Sequence, residues 1–227
     1  MNEPLILAVD ASTHACTVAV GHGEWVVQRH QVAPRGHAGL ALPMVEAVLT
    51  EAGVGRRDIG LIATGHGPGA FTGVRISVGL AQGLALALGV PVVGLSTLAV
   101  LAQGCRRRLG TTRVCVALDA RMGEVYWGVY ELDPESGLMV TTIPDRVLPP
   151  EQATVPAAWR AYAATGPGWA VHGDAIGAAV PRAPERIEED ALPEARDMVA
   201  PAREAYRRGE SKSAMDLAPA YIRNRVV

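Results

Sequence analysis

The sequence predicts an α/β protein of two lobes, each carrying a mixed sheet, and three observations support that prediction. The first is element order. The chain reads strand, strand, strand, helix, strand, helix, strand, helix, an order that belongs to sheets in which three antiparallel strands lead into parallel ones. The second is an internal echo: Leu5-Ile6-Leu7-Ala8-Val9-Asp10 is matched by Val114-Cys115-Val116-Ala117-Leu118-Asp119, and each run ends in aspartate before a polar turn and another strand. The third is size, because 227 residues suffice for two small lobes with separate cores. The echo heads each half, so a boundary falls near Gly110 and divides the chain into lobes 1–109 and 110–227.

Residues 5–9 are a continuous apolar run without helical period, hence a strand. Residues 15–20 form a second strand after the polar turn Ala11-Ser12-Thr13-His14, and residues 25–32 a third after a hairpin turn at Gly21-His22-Gly23. Residues 38–52 place Leu42, Val45, Val48, Leu49 and Ala52 at helical spacing, with Gly53 as the stop. A short strand at 61–64 runs into the glycine-rich loop Gly65-His66-Gly67-Pro68-Gly69. A helix at 72–88, a strand at 92–95 and a helix at 96–108 capped by Ser96 or Thr97 complete the first lobe. In the second lobe strands are expected at 114–119 and 125–130. Beyond Leu148 prolines punctuate short elements until a helix at 194–208, ended by Gly209.

Composition narrows the function classes. Hydrophobic residues make up 49% of the chain and charged residues 19%, the balance of a globular protein, and the formal charge of −2 argues against nucleic-acid binding by the chain alone. The compact basic run Arg106-Arg107-Arg108 fits a solvated helix end. Cys16, Cys105 and Cys115 form no Cys-x-x-Cys pair, so neither a disulfide framework nor a thiolate metal site is expected, and a reducing compartment is. The apolar run at the N-terminus is too short for a signal peptide. The stretch from Ile76 to Cys105 is uncharged and long enough to span a bilayer, but Gly89, Pro91, Gly94, Ser96 and Thr97 divide it into a buried helix, strand and helix.

Several residues could carry chemistry. Asp10 and Asp119 each close a buried strand at the mouth of a sheet, where ligands bind, although each could equally accept N–H bonds from its own turn. The loop Gly65–Gly69 with Ala70, Phe71, Thr72 and Gly73 brings backbone N–H groups and a helix N-terminus together, a setting for an anion or simply a tight strand-to-helix turn. It is not a Walker loop, since no Gly-Lys-Ser/Thr follows. Arg75 lies in the first helical turn, where a cation opposes the helix dipole, so a partner for it is expected. The helix 72–88 is apolar on nearly every side and carries Gly79 and Gly83 four residues apart, while the helix 38–52 has Leu40 and Met44 off its main stripe. Side by side, the two would form an association surface unless the same chain covers them. The six histidines, His14, His22, His30, His37, His66 and His172, include no helical metal pair.

Several stretches together resemble the TsaB family, also called YeaZ: ILAVDAST, GHGPGAFTGVRISVGLAQGLAL, LDARMGEVYWGVY and the tail APAYIRN. The resemblance implies the fold of the actin, Hsp70 and sugar-kinase superfamily, with two ribonuclease-H-like lobes. It implies a non-catalytic dimerisation subunit that binds and activates a TsaD-type threonylcarbamoyltransferase. With a TsaE-type ATPase, that complex modifies N6 of adenosine 37 in tRNAs reading ANN codons. ATP and metal would belong to the partner subunits, this chain having no cofactor of its own. It would form a homodimer when alone, meet tRNA only through the complex, and work in the cytoplasm away from membranes. In the TsaD pattern the strand after the Gly-Pro-Gly helix ends in Asn-His, with a second histidine four residues later. Thr97 and Leu101 stand at those positions here, and leucine cannot ligate a metal.

Carried over by position, Asp10, Gly67, Pro68 and Gly69, with Thr72 and Gly73 beside them, match the cleft of the first lobe. Asp119, Arg121 and Glu124 match its opposing wall. Leu42, Val45 and Leu49 on one helix, and Val74, Arg75, Val78, Gly79 and Gly83 on the next, match the dimerisation bundle. The alternatives are a small-molecule kinase or ATPase of the same superfamily, which would need a glycine-rich adenosine loop that the second lobe lacks, and an M22-type glycoprotease, whose metal ligands are missing.

Overall fold

A computed structural model describes residues 3–33 and 37–222. The chain divides into two compact units. In the first, β1 (Leu5–Asp10), β2 (Ala15–His22), β3 (Trp25–Val32), β4 (Ile59–Gly67) and β5 (Val92–Ser96) form one sheet in the order β3-β2-β1-β4-β5. The pairs β1–β2 and β2–β3 are antiparallel, and β1–β4 and β4–β5 parallel. The apolar runs are continuous because both faces of this sheet are covered. Leu7, Val9, Val18 and Ile62 join Val45, Val48 and Leu49 of α1 (His37–Ala52) and Val74, Val78, Ala81 and Ala85 of α2 (Phe71–Leu88) in one core cluster. The alternate residues Ile6, Ala8, Ala19, Leu61 and Ala63 pack in another cluster with Met198, Val199 and Ala202 of a late helix, Arg196–Arg207. α3 (Thr97–Leu109) follows β5, with Ser96 Oγ accepting the N–H groups of Leu98 and Ala99 at 3.1 and 3.4 Å as its N-cap.

The second unit repeats the plan. β6 (Arg113–Arg121), β7 (Glu124–Leu132), β8 (Met139–Leu148), β9 (Ala163–Thr165) and β10 (Arg186–Glu188) form a sheet in the order β10-β9-β6-β7-β8. Again the first three strands in sequence are antiparallel and the last two add in parallel. Strand for strand this is the order of the first sheet, so the echo seen at the head of each half extends through the whole unit. α4 (Gly168–Ala179) follows β9 as α2 follows β4. The second core is aromatic: Trp127, Trp159, Tyr162 and Trp169 cluster with Val125, Val129 and Ile176, and the Trp127 and Trp169 rings lie 5.9 Å apart. The helix Arg196–Arg207 is α5.

Some expectations change. The division of contacts falls between Val100 and Leu101, inside α3, and Pro193–Ala220 belongs to the first unit, not to a second lobe running from 110 to 227. The apolar stripe of α5 is what closes the far face of the first sheet. The β2–β3 hairpin turns at Gly23-Glu24, since His22 already pairs with Trp25, and Gly23 takes the left-handed φ of 61° that this tight turn needs. The prolines after Leu148 do not prevent two further parallel strands and α4. Arg108 is no simple solvated helix end, because its guanidinium is paired with the Glu188 carboxylate at 2.9 Å. Among the described residues, α2 is long and apolar enough to cross a bilayer, but four of its side chains lie in the first core.

Candidate functional site

At the C-terminal end of β1, the Asp10 carboxylate is almost fully buried and accepts the Ser12 N–H at 2.7 Å and the Ser12 hydroxyl at 2.8 Å. The Ser12 hydroxyl also meets the Thr97 hydroxyl at 3.2 Å, joining the β1–β2 turn to the first residue of α3. Asp10 thus accepts hydrogen bonds from its own turn. Burial, and then the neighbouring Asp10 charge, push the Cys16 thiol up to about 11, which leaves it an inert apolar group.

The glycine-rich loop is packed against this turn. A side chain at Gly65 would overlap the Asp10 carboxylate, one at Gly69 the Ser12 carbonyl, and one at Gly73 the Ala11 carbonyl. The Ala70 N–H is bonded to Ser12 O at 2.8 Å, and the Ala11 N–H to Ser77 Oγ at 2.5 Å. Gly69 and Gly73 are therefore required by contact between loop, helix and turn, whatever else the loop does. Thr72 is exposed beside them. Gly67 has φ of 115° and a cis bond to Pro68. Arg75 finds its partner on its own helix: Nη1 donates to Phe71 O at 2.9 Å and the guanidinium lies 3.3 Å over the Phe71 ring centroid.

The two expected interface helices divide into faces. Val45, Leu49, Val74 and Val78 are buried in the first core, so they support the surface from beneath and do not form it. Leu42 at 53% exposure, Phe71 at 67% and Leu86 at 69% point outward with Ala47, Arg75, Gly79 and Gly83. Among the described residues, no atom beyond the helix's own backbone lies within 4 Å of a Cβ built at Gly79 or Gly83. Phe71 and Leu86 are exposed as well and were missed in sequence: Leu86 falls on the glycine side of the α2 helical wheel, whereas Phe71 lies on the wheel beside buried Val78 and is exposed because it opens the helix.

A third side of α2 is closed by a strap, residues 211–220. Lys212 and Val92 exchange two backbone hydrogen bonds at the edge of β5. Gln82 Nε2 donates to Leu217 O at 2.9 Å, and Ala214 and Leu217 enter the first core. The His66 ring meets Ala218 O through Nδ1 at 3.3 Å, and the Ala220 N–H donates to His66 O at 2.8 Å. Burial, partly offset by the bond to Ala218, holds the His66 imidazole below its usual value.

In the second unit, Asp119 is half-buried and lies two residues before the end of β6. Its carboxylate accepts the Arg121 N–H at 2.9 Å, pairs with Arg121 Nη1 at 3.2 Å and meets His172 Nε2 at 3.4 Å. Arg121, Met122 and Gly123 form the β6–β7 turn with φ of 63°, 58° and 75°. Arg121 is largely exposed, and Glu124 opens β7 at the base of the hairpin, paired with Arg121 across the ladder. Asp119, Arg121 and Glu124 thus share one hairpin. His172 was not in the expected set. The signal for it was available: Thr64-Gly65 followed by Pro68-Gly69 before α2 recurs as Thr165-Gly166-Pro167-Gly168 before α4. Gly166 and Gly168 abut the Ala117 backbone so closely that a side chain at either would collide with it. Thr97 and Leu101, where the TsaD-like pattern has histidines, are fully buried. No group of three His, Cys, Asp or Glu side chains able to hold a metal occurs among the described residues.

Two five-stranded units of identical strand order, each with an aspartate at or near the end of its first strand and a Pro-Gly loop before its crossover helix, define a duplicated α/β protein of the actin-like, two-lobed class. The family model described as TsaD, tRNA N6-adenosine threonylcarbamoyltransferase, matches residues 27–226. The tRNA threonylcarbamoyladenosine biosynthesis protein TsaB of Escherichia coli is 39% identical over 97% of this chain and 95% of its own. That of Haemophilus influenzae is 32% identical, over 100% and 96%. The solved structure of YeaZ from Pseudomonas aeruginosa superposes with a TM-score of 0.89 at 43% identity, over 96% of this chain and 99% of that one. A second Pseudomonas aeruginosa structure, described as an uncharacterized protein with similarity to peptidase YEAZ, gives 0.89 at 44% identity, over 97% and 100%. The chain belongs to the TsaB (YeaZ) family.

Proposed function

We propose that this chain acts in the biosynthesis of tRNA threonylcarbamoyladenosine as a non-catalytic scaffold. It binds and activates a TsaD-type transferase, in company with a TsaE-type ATPase. The pathway follows from the names of its relatives. The scaffold role rests on one observation: the outward sides of α1 and α2 expose the apolar Leu42, Ala47, Phe71 and Leu86, and two glycines leave the α2 backbone open to close approach. A helix of the partner crossing at Gly79 and Gly83 would bury that face, and a second copy of this chain takes the same place when the partner is absent. Arg121, on its fixed hairpin, offers donors to a partner carboxylate. Metal and nucleotide chemistry belongs to the partners, and tRNA is met only through the assembled complex.

Co-purification with a TsaD-type subunit tests the assignment, followed by a modification assay on tRNA with and without this chain. Gly79→Arg is expected to abolish pairing and modification together while the circular-dichroism spectrum and unfolding midpoint are retained. Wild-type pairing in that variant would reject the face, and full modification with the chain omitted would reject the scaffold role.

A further inference from the structure

The second unit holds a histidine where the first holds a glycine. Pro68-Gly69 is followed four residues later by Gly73, and Pro167-Gly168 by His172. In the first unit that glycine lets α2 touch the Ala11 carbonyl directly. In the second, α4 is held against β6 by Gly166 and Gly168, and the imidazole at the corresponding place reaches sideways to Asp119. His172 is itself mostly buried, and its Nε2 lies 3.4 Å from Asp119 Oδ1, the same oxygen that accepts the Arg121 N–H at 2.9 Å. The other oxygen of Asp119 pairs with the Arg121 guanidinium at 3.2 Å. The hairpin beyond it places two non-glycine residues, Arg121 and Met122, in the left-handed region, a conformation that persists only where its surroundings impose it.

We propose that His172 is a positioning residue: it fixes the Asp119 carboxylate, and through it the backbone and guanidinium of Arg121, so that the hairpin is set before the partner arrives. The inference rests on the reading of Arg121 as a partner contact and adds the group that orients it. Asp119 alone can swing about its χ angles. Held by an imidazole from α4, it has one orientation, and that orientation closes both bonds to Arg121.

The test uses the full chain with a TsaD-type partner. His172→Ala is expected to weaken pairing roughly three- to tenfold, as for loss of one orienting hydrogen bond. His172→Gln, which keeps an Nε2–H donor, is expected to restore most of it. Added to Arg121→Ala, His172→Ala is expected to cost nothing further. In the chain alone, amide exchange of residues 119–124 is expected to quicken in His172→Ala with the unfolding midpoint of the unit retained. An equal loss from His172→Ala in the wild-type and Arg121→Ala backgrounds would overturn the positioning role, as would unchanged exchange in the hairpin. Unchanged pairing in Arg121→Ala, with hairpin exchange still responding to His172, would overturn the contact reading instead, so the two failures are distinguishable.

Discussion

Replacing Gly79 and Gly83 by alanine should stabilise the free chain and weaken its assembly, and the opposite signs make the experiment informative. Both glycines sit inside α2, where each costs about 0.5–1 kcal/mol relative to alanine through backbone entropy. Among the described residues, a Cβ at either position meets no atom within 4 Å beyond the helix's own backbone, so no clash offsets the gain. The double variant should therefore gain about 1–2 kcal/mol, which at roughly 2–4 °C per kcal/mol raises the midpoint of the first unit by several degrees. Against a partner helix packed on the glycines, each new methyl group instead forces the backbones apart. At about 1–3 kcal/mol per overpacked site, the two together should lower affinity by at least about thirtyfold. Thermal unfolding is measured at a dilution where sedimentation shows monomer, because self-association through the same face would mask the gain, and affinity is measured by calorimetry with the TsaD-type subunit. A lower midpoint in the monomer would mean that these glycines are used inside the chain. A higher midpoint with unchanged affinity would mean that the partner grips elsewhere. Either result refutes the reasoning.

Other positions give different signs. Gly73→Ala should destabilise the first unit by about 2–3 kcal/mol, read from the urea midpoint, because the new methyl would meet the Ala11 carbonyl, backbone that cannot rotate away. His66 makes the strap sensitive to acid. Its folded pKa is lowered by burial, so the unfolded chain binds more protons between that value and about 6.5, and stability is present above about 6.5 and lost as pH falls through the folded pKa. His66→Gln should flatten the acid limb of stability against pH in that window; a limb identical to wild type would remove His66 as its cause.

The first sheet was legible because β1 and β2 are buried on both faces, which makes each a nearly unbroken apolar run, while the exposed edge strand β3 was marked by the glycine turn before it. The α2 helix was legible as unusual, but not how its sides are shared. Val74 and Val78 face the core, Gly79 and Gly83 face outward, and the side near Gln82 is closed by Leu217, more than a hundred residues away in sequence and invisible to any local period. The late strands of the second sheet escaped because β9 and β10 have three residues each, too few for an alternation, and β8 carries Pro144 on a sheet edge. At the candidate sites Asp10 and Asp119 stood out as strand-end carboxylates. His172 did not, because its role depends on the helix that the second Pro-Gly pair begins.

The return of α5 to the first sheet has a consequence for how the protein is made. Translation delivers β1 to β5 early, but Ile6, Ala8, Leu61 and Ala63 have only Val100 of α3 beside them on that face until Met198, Val199 and Ala202 leave the ribosome. The middle of the chain, Leu101–Leu192, holds its own sheet and aromatic core and has no such wait. The part synthesised second can thus mature before the part synthesised first, and for that interval one greasy side of the nascent sheet is an open target for chaperones and for premature association.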